Sequence, residues 1–109
     1  MAHRPERLTQ KIRHEVSQLI LFEMSDPRIQ GVTVTRVTLT RDLGLARIYY
    51  EVTDRSQKKL IQEALKEATG FIRRSLSSRL KLRLMPQIEF FYDETSEEVQ
   101  KVEQLFSKL

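Results

Sequence analysis

The 109 residues predict a single α+β domain, a three-stranded sheet with helices packed on one face. Three observations carry that expectation. Apolar residues recur at helical spacing from Leu8 to Ile20 and again from Leu60 to Leu80. Three segments, Val32 to Thr40, Ala46 to Val52 and Gln87 to Tyr92, are rich in β-branched residues or alternate apolar with polar. A chain of this length, 39% hydrophobic, has material for one modest core and not for two.

Pro5 suits a first helical turn, and Leu8, Ile12, Val16, Leu19 and Ile20 form one stripe that Asp26-Pro27 ends. The opposite face carries Arg4, Arg7, Lys11, Arg13 and His14 against Glu6 and Glu15, which suits either an ordinary solvated face or a basic track. After a turn at Gln30-Gly31 comes the first strand, whose alternation slips by one at Arg36 and resumes at Val37 and Leu39; this predicts a bulge or a late-starting strand. Arg41-Asp42-Leu43-Gly44 connects it tightly to a second strand in which Ala46, Ile48, Tyr50 and Val52 alternate with Arg47, Tyr49 and Glu51. Asp54 or Ser56 caps a second helix along Leu60, Ile61, Ala64, Leu65 and Ala68. Gly70 is expected to break it, so that two helices meet at Ala68-Thr69-Gly70 and Phe71, Ile72, Leu76 and Leu80 continue the stripe beyond. Met85-Pro86 opens the last strand, with Ile88, Phe90 and Tyr92 inward and Phe91 outward. Thr95 and Glu98 form a capping box for a short closing helix. Thr33, Thr35, Thr38 and Thr40 suit a sheet face left to water. The domain is taken as residues 1–94, with 95–109 a helix packed on it or trailing it.

Charge is segregated along the chain. Residues 1–88 hold 17 basic and 9 acidic side chains, a net +8, and residues 89–109 hold 2 and 6, a net −4. Between Phe71 and Ile88 stand Arg73, Arg74, Arg79, Lys81 and Arg83 with no acid. A basic body of this kind is an electrostatic footprint for polyanions, of which nucleic acid is the commonest. With no cysteine there is no disulfide, thiol nucleophile or thiolate metal site, and His3 and His14 lie too far apart on one helix to share a metal. No Gly-rich phosphate loop, His-Glu metal pattern or nucleophile elbow is present, so the chain reads as a non-enzyme without cofactor or small-molecule substrate. No run approaches the roughly 18 apolar residues of a membrane span, and the basic N-terminus lacks a signal core, which predicts a cytoplasmic protein. No heptad run or long exposed apolar strand argues for a dimer, so a monomer is expected.

The order of elements, with a Gly break above a basic segment, resembles the KH fold of the second topological type. The motifs resemble the bacterial ribosome-binding factor A family: Asp26-Pro27-Arg28 after the first helix, Arg41-Asp42-Leu43 in the hairpin, Ala46-Arg47-Ile48-Tyr49 in the second strand. Glu67-Ala68-Thr69-Gly70-Phe71-Ile72-Arg73 is similar to the family's interrupted helix, and Lys81-Leu82-Arg83 with Pro86, Phe90, Tyr92 and Asp93 to its approach to the last strand. The likeness runs from about Arg4 to Asp93. In that family an Ala-x-Gly kink replaces the usual Gly-x-x-Gly loop, and Ala68-Thr69-Gly70 matches it. Thr40 and Lys81 depart from a more usual Ser and Arg, preserving a hydroxyl and a charge but not a guanidinium fork. The resemblance implies a factor that binds the small (30S) ribosomal subunit and 16S rRNA, assists late maturation of that rRNA, and matters in the cold.

A break at Gly70 would create a helix N-terminus at Phe71 whose free N–H groups favour a phosphate, with Arg73 and Arg74, both expected exposed, one turn away. Alternatively Gly70 only turns the chain so that both stripes reach the core. The expected RNA-binding set is Ala68, Thr69, Gly70, Arg73, Arg74, Arg79, Lys81 and Arg83, extended by Arg28 and Arg41, free beside turn-forming aspartates, and by Arg4, Arg7 and Lys11. Tyr49, Phe91 and Tyr92 are either base-stacking or packing residues. Two other functions fit the same features: a general single-stranded-RNA-binding KH-like module, and a protein-interaction adaptor using the Thr-rich face and acidic tail.

Overall fold

The computed structural model describes the backbone of residues 4–107 and the side chains of residues 6–95 and 102–107. Helix α1 (Arg4–Gln18) runs into a wider π turn (Leu19–Glu23), closed by the Met24 amide on the Leu19 carbonyl at 2.9 Å. The turn keeps Leu19 and Ile20 buried and leaves Leu21 and Phe22 exposed. Asp26 then caps the short turn Pro27–Ile29 by accepting the Arg28 amide at 2.9 Å, and Ile29 is buried. Strands β1 (Val32–Leu39) and β2 (Leu45–Val52) form the antiparallel hairpin. Helix α2 (Lys58–Leu80) follows a turn that Asp54 caps, and it returns the chain to β3 (Gln87–Tyr92), parallel to β2. The sheet order is β1-β2-β3, so the β2–α2–β3 crossover places β2 at the centre.

The slip of alternation at Arg36 is a bulge. Val34 pairs with Tyr50 and Arg36 with Tyr49, leaving Thr35 as the extra residue. Because of it Val34 and Val37, three apart, both reach the core. That core joins Ile12 and Val16 of α1, Ile48 and Tyr50 of β2, and Leu65, Ile72 and Leu76 of α2 in one cluster. Helices α1 and α2 therefore share one face of the sheet, as the fold class requires.

One expected feature is corrected. Helix α2 is unbroken through Ala68-Thr69-Gly70, and Gly70 has no left-handed backbone. The reason lies in the apolar stripe: Ile61, Leu65, Ala68, Ile72, Leu76 and Leu80 succeed one another by three or four residues on both sides of Gly70 without losing phase. A glycine costs a helix interior about 1 kcal/mol, less than the continuous buried stripe supplies. Thr69 donates its hydroxyl to the Leu65 carbonyl at 2.8 Å, a back-bond that bends helices without ending them. Phe71, expected on the stripe, is exposed.

Helix α2 stops at Lys81, whose φ of 53° is left-handed and whose amide reaches the Ser77 carbonyl at 3.2 Å. After β3, buried Asp93 accepts the Thr35 hydroxyl at 2.6 Å and the Thr95 amide at 3.0 Å, tying the bulge to the start of α3 (Thr95–Ser107). The Thr35 hydroxyl first, then the Thr95 hydroxyl and, less, its amide, hold the Asp93 carboxyl below its ordinary range. The Glu98 half of the expected capping box lies outside the described residues. Val102, Leu105 and Phe106 of α3 are exposed.

Candidate nucleic-acid interface

The unbroken helix removes one expected device. With no new N-terminus at Phe71, the amides that would have faced a phosphate are inside α2. Ala68 is half-buried against the core and the Thr69 hydroxyl is spent on Leu65, so of the Ala-x-Gly motif Gly70 alone is exposed. A Cβ at Gly70 would stand 3.3 Å from an Nη of Arg74. The guanidinium of Arg74 thus lies back over the notch that the missing side chain leaves.

The basic cluster divides by the partners the fold brings to it. Arg73 is half-buried, and its Nε and Nη2 donate to the carbonyls of Pro86 at 3.0 Å and Met85 at 2.7 Å. Its guanidinium fastens the segment before β3 to α2, so the expected exposure is corrected. Arg79 donates to Glu15 of α1 at 3.1 Å and to Glu23 in the π turn. Glu23 first and Glu15 second raise its pKa further, and together they clamp α1 to the end of α2. Arg28, expected free, is gripped by Asp26 through three side-chain hydrogen bonds of 2.8, 3.1 and 3.2 Å and by Glu67 at 2.8 Å. Donating to Asp26, then to Glu67, raises its pKa, and the bond to Asp26 lowers that carboxyl. This too is a correction: Arg28 ties the turn after α1 to α2.

Arg41 keeps the expected arrangement. It is exposed, while the Asp42 carboxylate is used within the turn, accepting the Gly44 amide at 2.9 Å and the Thr40 hydroxyl at 2.8 Å. Those bonds, Gly44's first, lower the Asp42 pKa. Thr40 also accepts the Leu45 amide at 3.0 Å, so the hydroxyl retained by the Ser-to-Thr departure closes the hairpin.

Arg7, Lys11, Arg41, Arg74, Lys81 and Arg83 are exposed, and their side chains make no ion pair or hydrogen bond among the described residues. The side chain of Arg4 lies outside the described residues. Arg7, Lys11 and His14, at positions i, i+4 and i+7 of α1, line one side of a groove of about 480 Å3 whose other wall includes Arg79 and Leu80 of α2. Gln10 and Glu15 complete it. Gln10 is absent from the residues expected at the interface, and His14 entered as one residue of the polar face of α1. Their spacing from Arg7 and Lys11 was the available signal. Chemically the groove offers side-chain cations and an amide to an anionic polymer at the junction of two clamped helices.

The chain matches the family model for ribosome-binding factor A over residues 4–106. The ribosome-binding factor A of Desulfatibacillum aliphaticivorans is 40% identical over 107 residues, covering 97% of this chain and 87% of that one. A Thermotoga maritima protein solved by NMR in solution is 30% identical with a TM-score of 0.74, covering 87% of this chain and 92% of its own. A Thermus thermophilus ribosome-binding factor A homology model, fitted into a cryo-electron-microscopy map of a complex with the 30S subunit, is 26% identical with a TM-score of 0.64 over 88% of this chain and 98% of that one. On fold, motif order and full-length identity together, the chain belongs to the ribosome-binding factor A family.

Proposed function

We propose that the chain is a ribosome assembly factor that binds the small (30S) subunit through 16S rRNA and acts by binding, not by catalysis. The observation that carries this is the division of its cations. Arg28, Arg73 and Arg79 hold the fold together, whereas the side chains of Arg7, Lys11, Arg41, Arg74, Lys81 and Arg83 stand exposed and unpaired among the described residues. The 30S complex of the Thermus relative supports the choice of polyanion. In this reading residues 1–94 make the subunit contact and 95–109 form an appended helix. Gly70 serves as the notch that seats Arg74 at the RNA. Selective binding of one subunit conformation lowers its free energy, which is how a non-enzyme assists late 16S maturation and why its help matters most in the cold. The protein works as a cytoplasmic monomer without cofactor. No helix among the described residues is long and apolar enough to cross a membrane.

Sedimentation of the purified protein with small subunits, large subunits and joined ribosomes across a salt series tests the proposal. Selective binding to free small subunits is expected. If each of the six cations meets one phosphate, log affinity falls with log salt at a slope of about −4 by the single-strand coefficient. Equal binding to all three particles would leave only a generic RNA-binding domain, and a slope near zero would refute the electrostatic mechanism.

A further inference from the structure

The face of the sheet turned away from α1 and α2 carries an arrangement that neither the core nor the basic groove uses. Arg36 of β1, Tyr49 of β2 and Phe91 of β3 stand opposite one another in a single row across all three strands. The rings of Tyr49 and Phe91 are 5.7 Å apart with planes inclined by 31°, and the Arg36 guanidinium sits 4.1 Å over the Tyr49 ring. Phe91 remains 37% exposed and Arg36 is exposed. Arg47, in the adjoining row between Thr38 and Glu89, is exposed and without an ion pair among the described residues. The bulge at Thr35 creates the row: by absorbing one residue it returns Arg36 to the outer face opposite Tyr49.

We infer that this row is a base-stacking platform that receives one unpaired nucleotide of the bound RNA, its base on Phe91 and the Tyr49–Arg36 pair and its phosphate beside Arg47. The inference rests on RNA being the ligand. The exposed ring of Phe91, backed by half-buried Tyr49 under its Arg36 cover, and the Arg47 guanidinium nearby match the two halves of a nucleotide, since every base has a π face and guanidinium planes stack on bases as rings do. Charge complementarity is local: Arg36 carries the row's only charge and Arg47 supplies a cation next to it. The platform is also continuous with the candidate interface, because Arg41 lies at the tip of the same β1–β2 hairpin. Over the whole face Glu51 and Glu89 balance the two arginines. The platform therefore adds affinity through stacking, with little salt dependence, and so differs measurably from the groove.

The test uses the full chain, isolated small subunits and an unstructured RNA hexamer carrying 2-aminopurine at its centre. For the parent protein, binding quenches the 2-aminopurine. In Phe91→Leu and Tyr49→Leu the quench disappears and affinity for hexamer and subunits falls by roughly fivefold to a hundredfold, the span of single-base stacking contributions. The log–log salt slope stays unchanged. Phe91→Trp restores binding, and because the chain has no other tryptophan, quenching of its emission by unlabelled hexamer reads the stacking directly even if the leucine variants fold poorly. Unchanged quench and affinity in the leucine variants, or no tryptophan quench, overturns the platform while leaving the salt-dependent function of Arg7, Lys11 and Arg74 standing. Weakened subunit binding with an unaltered hexamer response would also overturn it, by assigning the face to a ribosomal protein.

Discussion

Replacing Arg73 or its neighbour Arg74 by alanine separates a guanidinium that latches the fold from an exposed one proposed to meet RNA. In Arg73→Ala the carbonyls of Met85 and Pro86 lose their donors, at 2.7 and 3.0 Å, beside a buried Pro86. Two hydrogen bonds from a charged, half-buried donor contribute about 2–4 kcal/mol together. Set against the 5–15 kcal/mol typical of a domain, that is a large fraction. At about 4 °C per kcal/mol for a chain of this size, the melting midpoint falls by roughly 8–16 °C. Urea unfolding followed by circular dichroism should show a lower midpoint with unchanged slope. Arg73→Lys recovers part of the loss, since an ammonium cannot present the planar fork that reaches both carbonyls. Arg74→Ala removes no hydrogen bond, so its stability stays within about 0.5 kcal/mol of the parent while the salt slope of subunit binding shrinks by about 0.7. An Arg73→Ala variant that melts with the parent would refute the latch, and an Arg74→Ala variant that melts early would refute the division between the two.

Gly70→Ala should raise stability by about 0.5–1 kcal/mol, because the backbone there is helical and the new methyl meets only the movable end of Arg74 at 3.3 Å. Calorimetry reads the gain, a lower midpoint would mean that Gly70 is needed for a bend, and weaker subunit binding should accompany the gain as Arg74 is displaced. Asp93 titrates below its ordinary range in the folded chain, so its contribution is complete above the unfolded value near pH 4 and is lost as pH falls through the folded value. Asp93→Asn should therefore melt lower at neutral pH and show a flatter decline below about pH 4; an unchanged acid limb would refute the role given to the Thr35 and Thr95 bonds. Asp26, Asp42 and Asp54, also lowered, supply the decline that remains.

What the sequence revealed and what it concealed divide by the range of the interactions. The strands were legible because alternation is local: Gln87 to Tyr92 was placed residue for residue, and the slip at Arg36 announced the bulge. The break at Gly70 was misjudged by weighting a single glycine above the phase of the stripe, although Ile61 to Leu80 already contained the answer. The fate of the arginines could not be read the same way. Arg28 meets Glu67 across 39 residues, and Arg79 meets Glu23 and Glu15 across 56 and 64. A charge run shows how many cations exist, and only the packing of α1 against α2 shows which of them are already spent.

That division bears on how the surface recognises RNA. A helix break would have offered main-chain amides, which approach a phosphate closely and fix it in one place. An unbroken α2 leaves the task to side chains, and flexible cations confer little geometry unless the elements carrying them are held at set spacing. The paired arginines do the holding: Arg79 clamps α1 to the end of α2, Arg28 binds the turn after α1 to its middle, and Arg73 fixes the approach to β3. The spacing between Arg7 and Lys11 on α1 and Arg74 and Lys81 at the end of α2 is therefore set by the paired arginines, not by the unpaired residues themselves. Loosening a clamp, as in Arg79→Met, should thus weaken subunit binding by more than removal of one phosphate contact would, and should reduce discrimination between particles, whereas Arg83→Ala should lower affinity for all RNA alike. Competition sedimentation between small and large subunits distinguishes these outcomes. Equal losses of discrimination in the two variants would show that the clamps do not set the recognition geometry.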